Sequence, residues 1–197
     1  MTTAVTTTKE RILDAAEDLM LAKSFHSVGL NEILSAVKVP KGSFYHYFDS
    51  KEQFGVELIR HYVSEATAFK RRMLLTDQLS ENPYERIVTF CNGAVARSAE
   101  SSCQAGCLIT KLCAEVCTMS DDMRNEVARG MKDWCEVYTK LIEEGQRQQV
   151  IRADLKPKTA GYVLHDVWLG AMQRMLVERN VAPLRNAAAF IESYLAP

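Results

Sequence analysis

The sequence predicts an all-α fold of about nine helices. Apolar residues recur at helical spacing along nearly all of the 197 residues, and no run alternates with the two-residue period of a strand. Prolines and short polar residues interrupt that pattern where helices are expected to start or stop.

The first helix reads from Thr8, a fair N-cap, with Ile12, Ala15, Ala16, Leu19 and Met20 on one face, and ends near Ser24. A short helix follows, with Leu30, Ile33, Leu34 and Val37 together. Pro40 forces a turn at Val39, because the residue before a proline avoids the helical region. Proline also suits the first turn of a new helix, so Lys41 to Tyr47 is expected as a third short helix. Asp49 or Ser50 caps a long fourth helix, Lys51 to about Leu75. Asp77 to Pro83 is a polar break. Pro83 to about Ser98 is helical, and Ser101 to Gly106 is a loop. An apolar helix spans Cys107 to Cys117. Ser120-Asp121-Asp122 caps a helix that holds Trp134 and runs to about Gln148. After a break at Asp154 to Pro157, two helices finish the chain, Lys158 to Arg179 and Pro183 to Leu195.

Composition bounds the function. The chain is 47% hydrophobic and 25% charged, ordinary for a packed protein, and its net charge of −1 excludes a basic nucleic-acid coat. Positive charge is placed locally instead. Lys38, Lys41 and Lys51 face only Asp49, and Arg60, Lys70, Arg71 and Arg72 face only Glu65, an arrangement that permits phosphate contacts. Met1 to Lys9 is Thr-rich without the apolar core of a signal peptide. No apolar run approaches the roughly 18 residues of a membrane span. The six cysteines are therefore expected as thiols in a reducing cytoplasm.

Two short helices joined by a tight turn and braced by a third make a helix-turn-helix, whose second helix enters the major groove. In Lys41-Gly42-Ser43-Phe44-Tyr45-His46-Tyr47-Phe48, Phe44 and Phe48 stand four apart and are expected to pack inward. Lys41, Ser43, Tyr45 and His46 then face outward. Lysine and serine can meet bases or phosphates, and tyrosine hydroxyls bond phosphates. Gly42 lets backbone approach backbone. Lys51 adds a cation and a helix N-terminus, both suited to phosphate.

The run Val39-Pro40-Lys41-Gly42-Ser43-Phe44-Tyr45-His46-Tyr47-Phe48-Asp49-Ser50-Lys51-Glu52 closely resembles the recognition segment of TetR-family transcriptional repressors. The resemblance covers Thr8 to about Leu58. It implies a homodimeric helical regulator with a DNA-binding domain at residues 1–55 and a regulatory and dimerisation domain at 56–197. The regulatory domain would bind an inducer, and its two C-terminal helices would pair with a second copy. By position it implies DNA contacts at Lys41, Gly42, Ser43, Tyr45, His46 and Lys51, then Tyr47 and the region of Val28. Many relatives carry threonine at the positions of Val28 and Gly29.

Cys103, Cys107, Cys113 and Cys117 cluster ahead of the long helix. Cys113 and Cys117 are expected to stack one turn apart beside Ile109, Leu112 and Val116, either as inert packing or as secondary thiols. Cys107 follows Ala105-Gly106 and begins a helix, where unpaired N–H groups favour a thiolate, and Lys111 stands one turn later on the same face. The stretch Gly106 to Cys117, followed by Ser120-Asp121-Asp122-Met123-Arg124 and later by Trp168-Leu169-Gly170-Ala171, resembles the N-ethylmaleimide-responsive subgroup of that family. The resemblance implies sensing of electrophiles and oxidants at Cys107. The subgroup's lysine partner does not recur, since Arg174 and Met175 occupy its neighbourhood. An adduct, a disulfide and a non-covalent apolar inducer all remain open.

Cys103/Cys107 and Cys113/Cys117 also have zinc-like spacing, but no histidine lies near them, and no metal is expected. An enzyme is the competing class. There is no Gly-rich phosphate loop, no nucleophile elbow and no Cys-x-x-Cys pair, and neither a cofactor nor catalysis is expected. His165 on its apolar helix reads as a core or pocket residue. Ala160, Val163, Leu164, Val167, Trp168, Ala171, Met172 and Met175 form a stripe wide enough to meet a partner as well as the core. The partners expected are double-stranded operator DNA, a second copy and a small inducer, with no membrane.

Overall fold

The structure is a computed structural model that describes residues 7–103 and 106–197. Most of the Thr-rich start, and Gln104 and Ala105 of the predicted loop, lie outside the described residues. Among the described residues there are nine α-helices and no strand. They are α1 Thr8–Ala22, α2 Leu30–Ala36, α3 Phe44–Tyr47, α4 Lys51–Leu74, α5 Pro83–Glu100, α6 Leu108–Met119, α7 Asp121–Arg147, α8 Pro157–Glu178 and α9 Ala182–Leu195. No described helix is long and apolar enough to cross a membrane.

Side-chain caps fix the starts of four helices. The cap of α1 is Thr7 rather than Thr8. The Thr7 hydroxyl accepts the Glu10 N–H at 3.2 Å, and the Glu10 carboxylate accepts the Thr7 N–H at 2.7 Å. Only Thr7 stands three residues before a glutamate, the spacing this reciprocal box needs. Ser50 caps α4 by accepting the Gln53 N–H at 3.0 Å. Asn82 caps α5 through the Tyr84 N–H at 2.9 Å, with Pro83 in the first turn. Ser120 ends α6 and caps α7, accepting the Met123 N–H at 3.3 Å. Lys41–Ser43 forms a 3-10 turn ahead of α3, so the predicted third helix is α-helical only over its second half.

Two compact units divide the chain, one formed by Met1–Ser64 with Cys107–Ala128 and the other by Glu65–Gly106 with Arg129–Pro197. The first buries Ile12, Leu13, Ala16 and Met20 of α1, Ile33 and Leu34 of α2, and Phe44, Phe48, Phe54, Leu58 and Ile59. Leu108, Ile109, Leu112 and Val116 of α6 belong to the same buried set. The second unit has a core of Leu74, Ile87, Phe90, Tyr138, Leu141, Ile142, Leu164 and Ile191. Fully buried Arg86 fastens it. Its guanidinium donates to the carbonyls of Leu74 at 3.1 Å and Thr76 at 3.3 Å, and it pairs with Glu144. Gly161 lets α8 lie close to α7, since a Cβ there would come within 2.9 Å of the Cys135 carbonyl.

Candidate nucleic-acid interface and thiol site

The turn into the exposed segment is built by its backbone. Lys38 takes φ 56°, and the Val39 N–H reaches the Leu34 carbonyl at 2.9 Å. Phe44, Phe48 and Phe54 then form a buried aromatic triangle with centroids 5.0 to 5.5 Å apart. That triangle orients the rest of the turn. Lys41, Gly42, Tyr45 and His46 are exposed, and Ser43 and Tyr47 are half-buried. Tyr45 is 62% exposed, an unusual degree for a large aromatic side chain, although its ring meets the Phe44 ring edge-on with centroids 5.4 Å apart. Lys51 is exposed, with its ammonium 5.3 Å from the Phe25 ring centre.

Some sequence expectations need correction here. Val28 is buried and belongs to the core, so it has no face to offer a phosphate. A Cβ added at Gly42 would meet no other atom of its own chain within 4 Å, so close packing within the molecule does not require a glycine there. The basic run from Arg60 to Arg72 is partly engaged already. Arg60 pairs with Glu126 at 2.8 Å, and the Lys70 ammonium lies 4.7 Å from the Trp134 ring centre. These partners lie about 65 residues away in sequence, beyond any local charge count.

Cys107 is the N-cap of α6 rather than its first residue, and it is half-buried. Tyr62, on α4, hydrogen-bonds the Cys107 side chain, and its hydroxyl accepts the Leu108 N–H. Burial first, then the charge on Cys107, pushes the Tyr62 hydroxyl far above its ordinary pKa, so it stays protonated and able to donate. Sequence reading missed Tyr62, because nothing local links it to a cysteine 45 residues on. Lys111 is half-buried in the second turn of α6. Cys113 and Cys117 are half-buried too, not sealed in the core. Cys103 belongs to the other unit, where it packs against a cluster that includes Ala171 and Met175.

Glu115 of α6 was also missed. Its carboxylate accepts the backbone N–H groups of Phe25 at 3.1 Å and His26 at 2.7 Å, in the corner between α1 and α2. The helix that follows Cys107 therefore holds the turn between α1 and α2. In the second unit, His165 is buried with Nε2 unpartnered, 5.9 Å from the Trp134 ring centre. Burial holds its imidazole below the ordinary pKa. The α8–α9 face of that unit carries a shallow groove of about 300 Å³ lined by Val167, Ala171, Arg174, Pro183, Asn186, Ala187 and Phe190. Phe190 is 44% exposed and stacks on Tyr194 at 5.4 Å.

Residues 12–58 match the family model described as bacterial regulatory proteins, tetR family, and residues 83–191 match a tetracyclin repressor-like C-terminal domain. The chain is 35% identical over 191 residues to the HTH-type transcriptional repressor NemR of Escherichia coli, covering 96% of this chain and 94% of that one. It is 31% identical over 195 residues to the HTH-type transcriptional repressor DhaR of a Mycobacterium species, covering 98% and 95%. Among solved structures it is similar to the reduced form of E. coli NemR, with a TM-score of 0.87 at 32% identity, covering 96% of this chain and 98% of that one. A regulatory protein TetR from Rhodobacter sphaeroides gives 0.85 at 29% identity, covering 95% and 98%.

Proposed function

The chain belongs to the TetR family of bacterial regulatory proteins, and from that premise we propose that it is a repressor released from its operator by reaction at Cys107. Lys41, Gly42, Ser43, Tyr45, His46, Tyr47 and Lys51 form its DNA-reading face within residues 1–55. Residues 56–197 sense the inducer and dimerise through α8 and α9, where the Phe190 groove offers apolar surface to a second copy. The protein works in the cytoplasm, where its operator is, and turns over no substrate.

The observation that carries the reading is the Tyr62–Cys107 contact at the head of α6, the helix whose Glu115 holds the Phe25–His26 corner. The Cys107 sulfur attacks the electron-poor carbon of an activated alkene. A C–S bond forms, the alkene π pair moves to the neighbouring carbon, and that carbon takes up the proton the thiol lost. The adduct displaces the Tyr62 hydroxyl and disturbs the start of α6. Such local chemistry switches a protein when it biases an element with two arrangements.

Gel-shift titration with N-ethylmaleimide tests this. Wild type is expected to release DNA while Cys107→Ser stays bound. Equal release from both overturns the proposal. One observation favours a second reading, a non-covalent inducer: the unpartnered Nε2 of buried His165 beside Trp134 invites a polar ligand atom. Inducer response that survives Cys107→Ser but is lost in His165→Phe would select it.

A further inference from the structure

Cys113 and Cys117 stand four residues apart on α6, so their side chains rise from one face a turn apart. The buried face of α6 is made by Leu108, Ile109, Leu112 and Val116 with Thr110 beside them, and the two thiols flank it, half-buried. Core packing accounts for the four apolar residues without needing either sulfur. Both cysteines are unbridged, and the Cys113 thiol sits 3.9 Å from the Thr110 carbonyl. The two also interact. Burial, then the charge on Cys113, pushes the Cys117 thiol up, and Arg124 opposes that rise. Two unbridged, half-buried thiols one helical turn apart, with Arg124 a neighbour of Cys117, are placed to bind one soft centre together.

A direct disulfide fits this pair poorly. It needs Cβ atoms about 3.5–4.5 Å apart, whereas helix neighbours at this spacing stand about 5–6 Å apart. One atom inserted between the sulfurs relieves that mismatch without unwinding the helix. Sulfur ligands select soft centres, and a trivalent centre that takes two thiolates suits a two-sulfur site better than a four-ligand metal does.

We propose that Cys113 and Cys117 form a dithiol site for trivalent organoarsenicals and like thiophiles, separate from the single-thiol chemistry of Cys107. With phenylarsine oxide, two arsenic–sulfur bonds form and the arsenic–oxygen bond breaks. Both thiol protons leave with that oxygen as one water. No atom changes oxidation state, and no oxidant or reductant is required.

The test treats the reduced full-length protein with phenylarsine oxide in the absence of DNA and reads intact mass after challenge with excess glutathione. A chelate on two sulfurs resists a monothiol, while an adduct on one sulfur exchanges. Wild type and Cys107→Ser are expected to keep one phenylarsenic group per chain, which 2,3-dimercaptopropanol then strips. Cys113→Ser and Cys117→Ser are each expected to lose it at least tenfold more readily. Alanine variants at both positions, checked for native circular dichroism, repeat the comparison should a serine variant misfold. A resistant adduct absent from wild type, lost in Cys107→Ser, or retained by both single variants overturns the assignment. Because no DNA is present, failure here leaves the operator-binding reading standing.

Discussion

Replacing Glu115 with alanine removes a side chain that ties α6 to the α1–α2 corner by hydrogen bonds to main-chain N–H groups at 3.1 and 2.7 Å. A hydrogen bond to a charged group contributes about 1.5–3 kcal/mol net when it is shielded. The Phe25 bond is partly buried and the His26 bond is exposed, and the Glu115 side chain is 25% exposed. Counting the first bond nearly in full and the second at a small fraction gives about 2 kcal/mol for the pair. For a chain of this size, each kcal/mol moves the melting temperature by about 2–4 °C, so Glu115→Ala is expected to melt about 4–8 °C lower. Glu115→Gln keeps one acceptor oxygen but turns an amide NH₂ towards the other N–H, and it should fall between. Amide exchange reads the same change locally, with Phe25 and His26 losing protection while the α4 core keeps its own. A melting temperature within about 1 °C of wild type, with those two amides still protected, would refute the clamp.

Three other perturbations follow from particular contacts. Gly161→Ala drives a Cβ against the Cys135 carbonyl and the Thr139 N–H, both backbone atoms that cannot step aside. Overpacking of about 1–3 kcal/mol outweighs the gain of up to about 1 kcal/mol in helix propensity, so calorimetry should show destabilisation, and a rise in melting temperature counts against the close approach. Burial keeps His165 neutral below its ordinary pKa of 6.5, so the unfolded chain binds the proton first; stability from this group is complete above pH 6.5 and is lost as pH falls through the lowered folded value. Urea titrations from about pH 7.5 down to about pH 5 should show a shallower decline for His165→Gln than for wild type, and equal slopes would sink the argument. Tyr62→Phe removes a donor to the Cys107 sulfur, and at about 1 kcal/mol iodoacetamide should label Cys107 about fivefold more slowly; labelling at the wild-type rate or faster is the contrary result.

How much the sequence disclosed depended on distance along the chain. Long helices were legible because their apolar period repeats many times, and α4, α7 and α8 fall within a few residues of expectation. The aromatic triangle was legible for the same reason, since Phe44 and Phe48 are helix neighbours. The third helix was only half right because four residues of α-helix carry too little pattern to separate them from a 3-10 turn. Tyr62 with Cys107, Glu115 with Phe25, and Arg60 with Glu126 were not legible. Each pair joins residues separated by 45 to 90 positions, and no composition or period records such a meeting. The same blindness made Arg60 look available for phosphate when its charge was already matched. It also left the α6 thiols undecided between inert packing and secondary thiols, because periodicity puts a residue near a buried stripe without saying which flank it occupies.

Energetics limit how the proposed switch can work. Taking a regulator from almost fully bound to almost fully released needs a bias of about 5.5 kcal/mol between its two states. Breaking the Tyr62–Cys107 contact contributes only about 1 kcal/mol of that. The Glu115 clamp, at about 2 kcal/mol, is larger, and in a two-fold dimer both terms count twice. An adduct that merely displaced the tyrosine hydroxyl would therefore weaken operator binding without abolishing it. Full release requires the disturbance at Cys107 to reach Glu115, two turns along the same helix. A rigid helix is suited to that, because a shift at its N-cap moves every side chain on it together. Under the proposed switch the helix would act as a lever: chemistry at its head would loosen the grip of Glu115 on the Phe25–His26 corner further along.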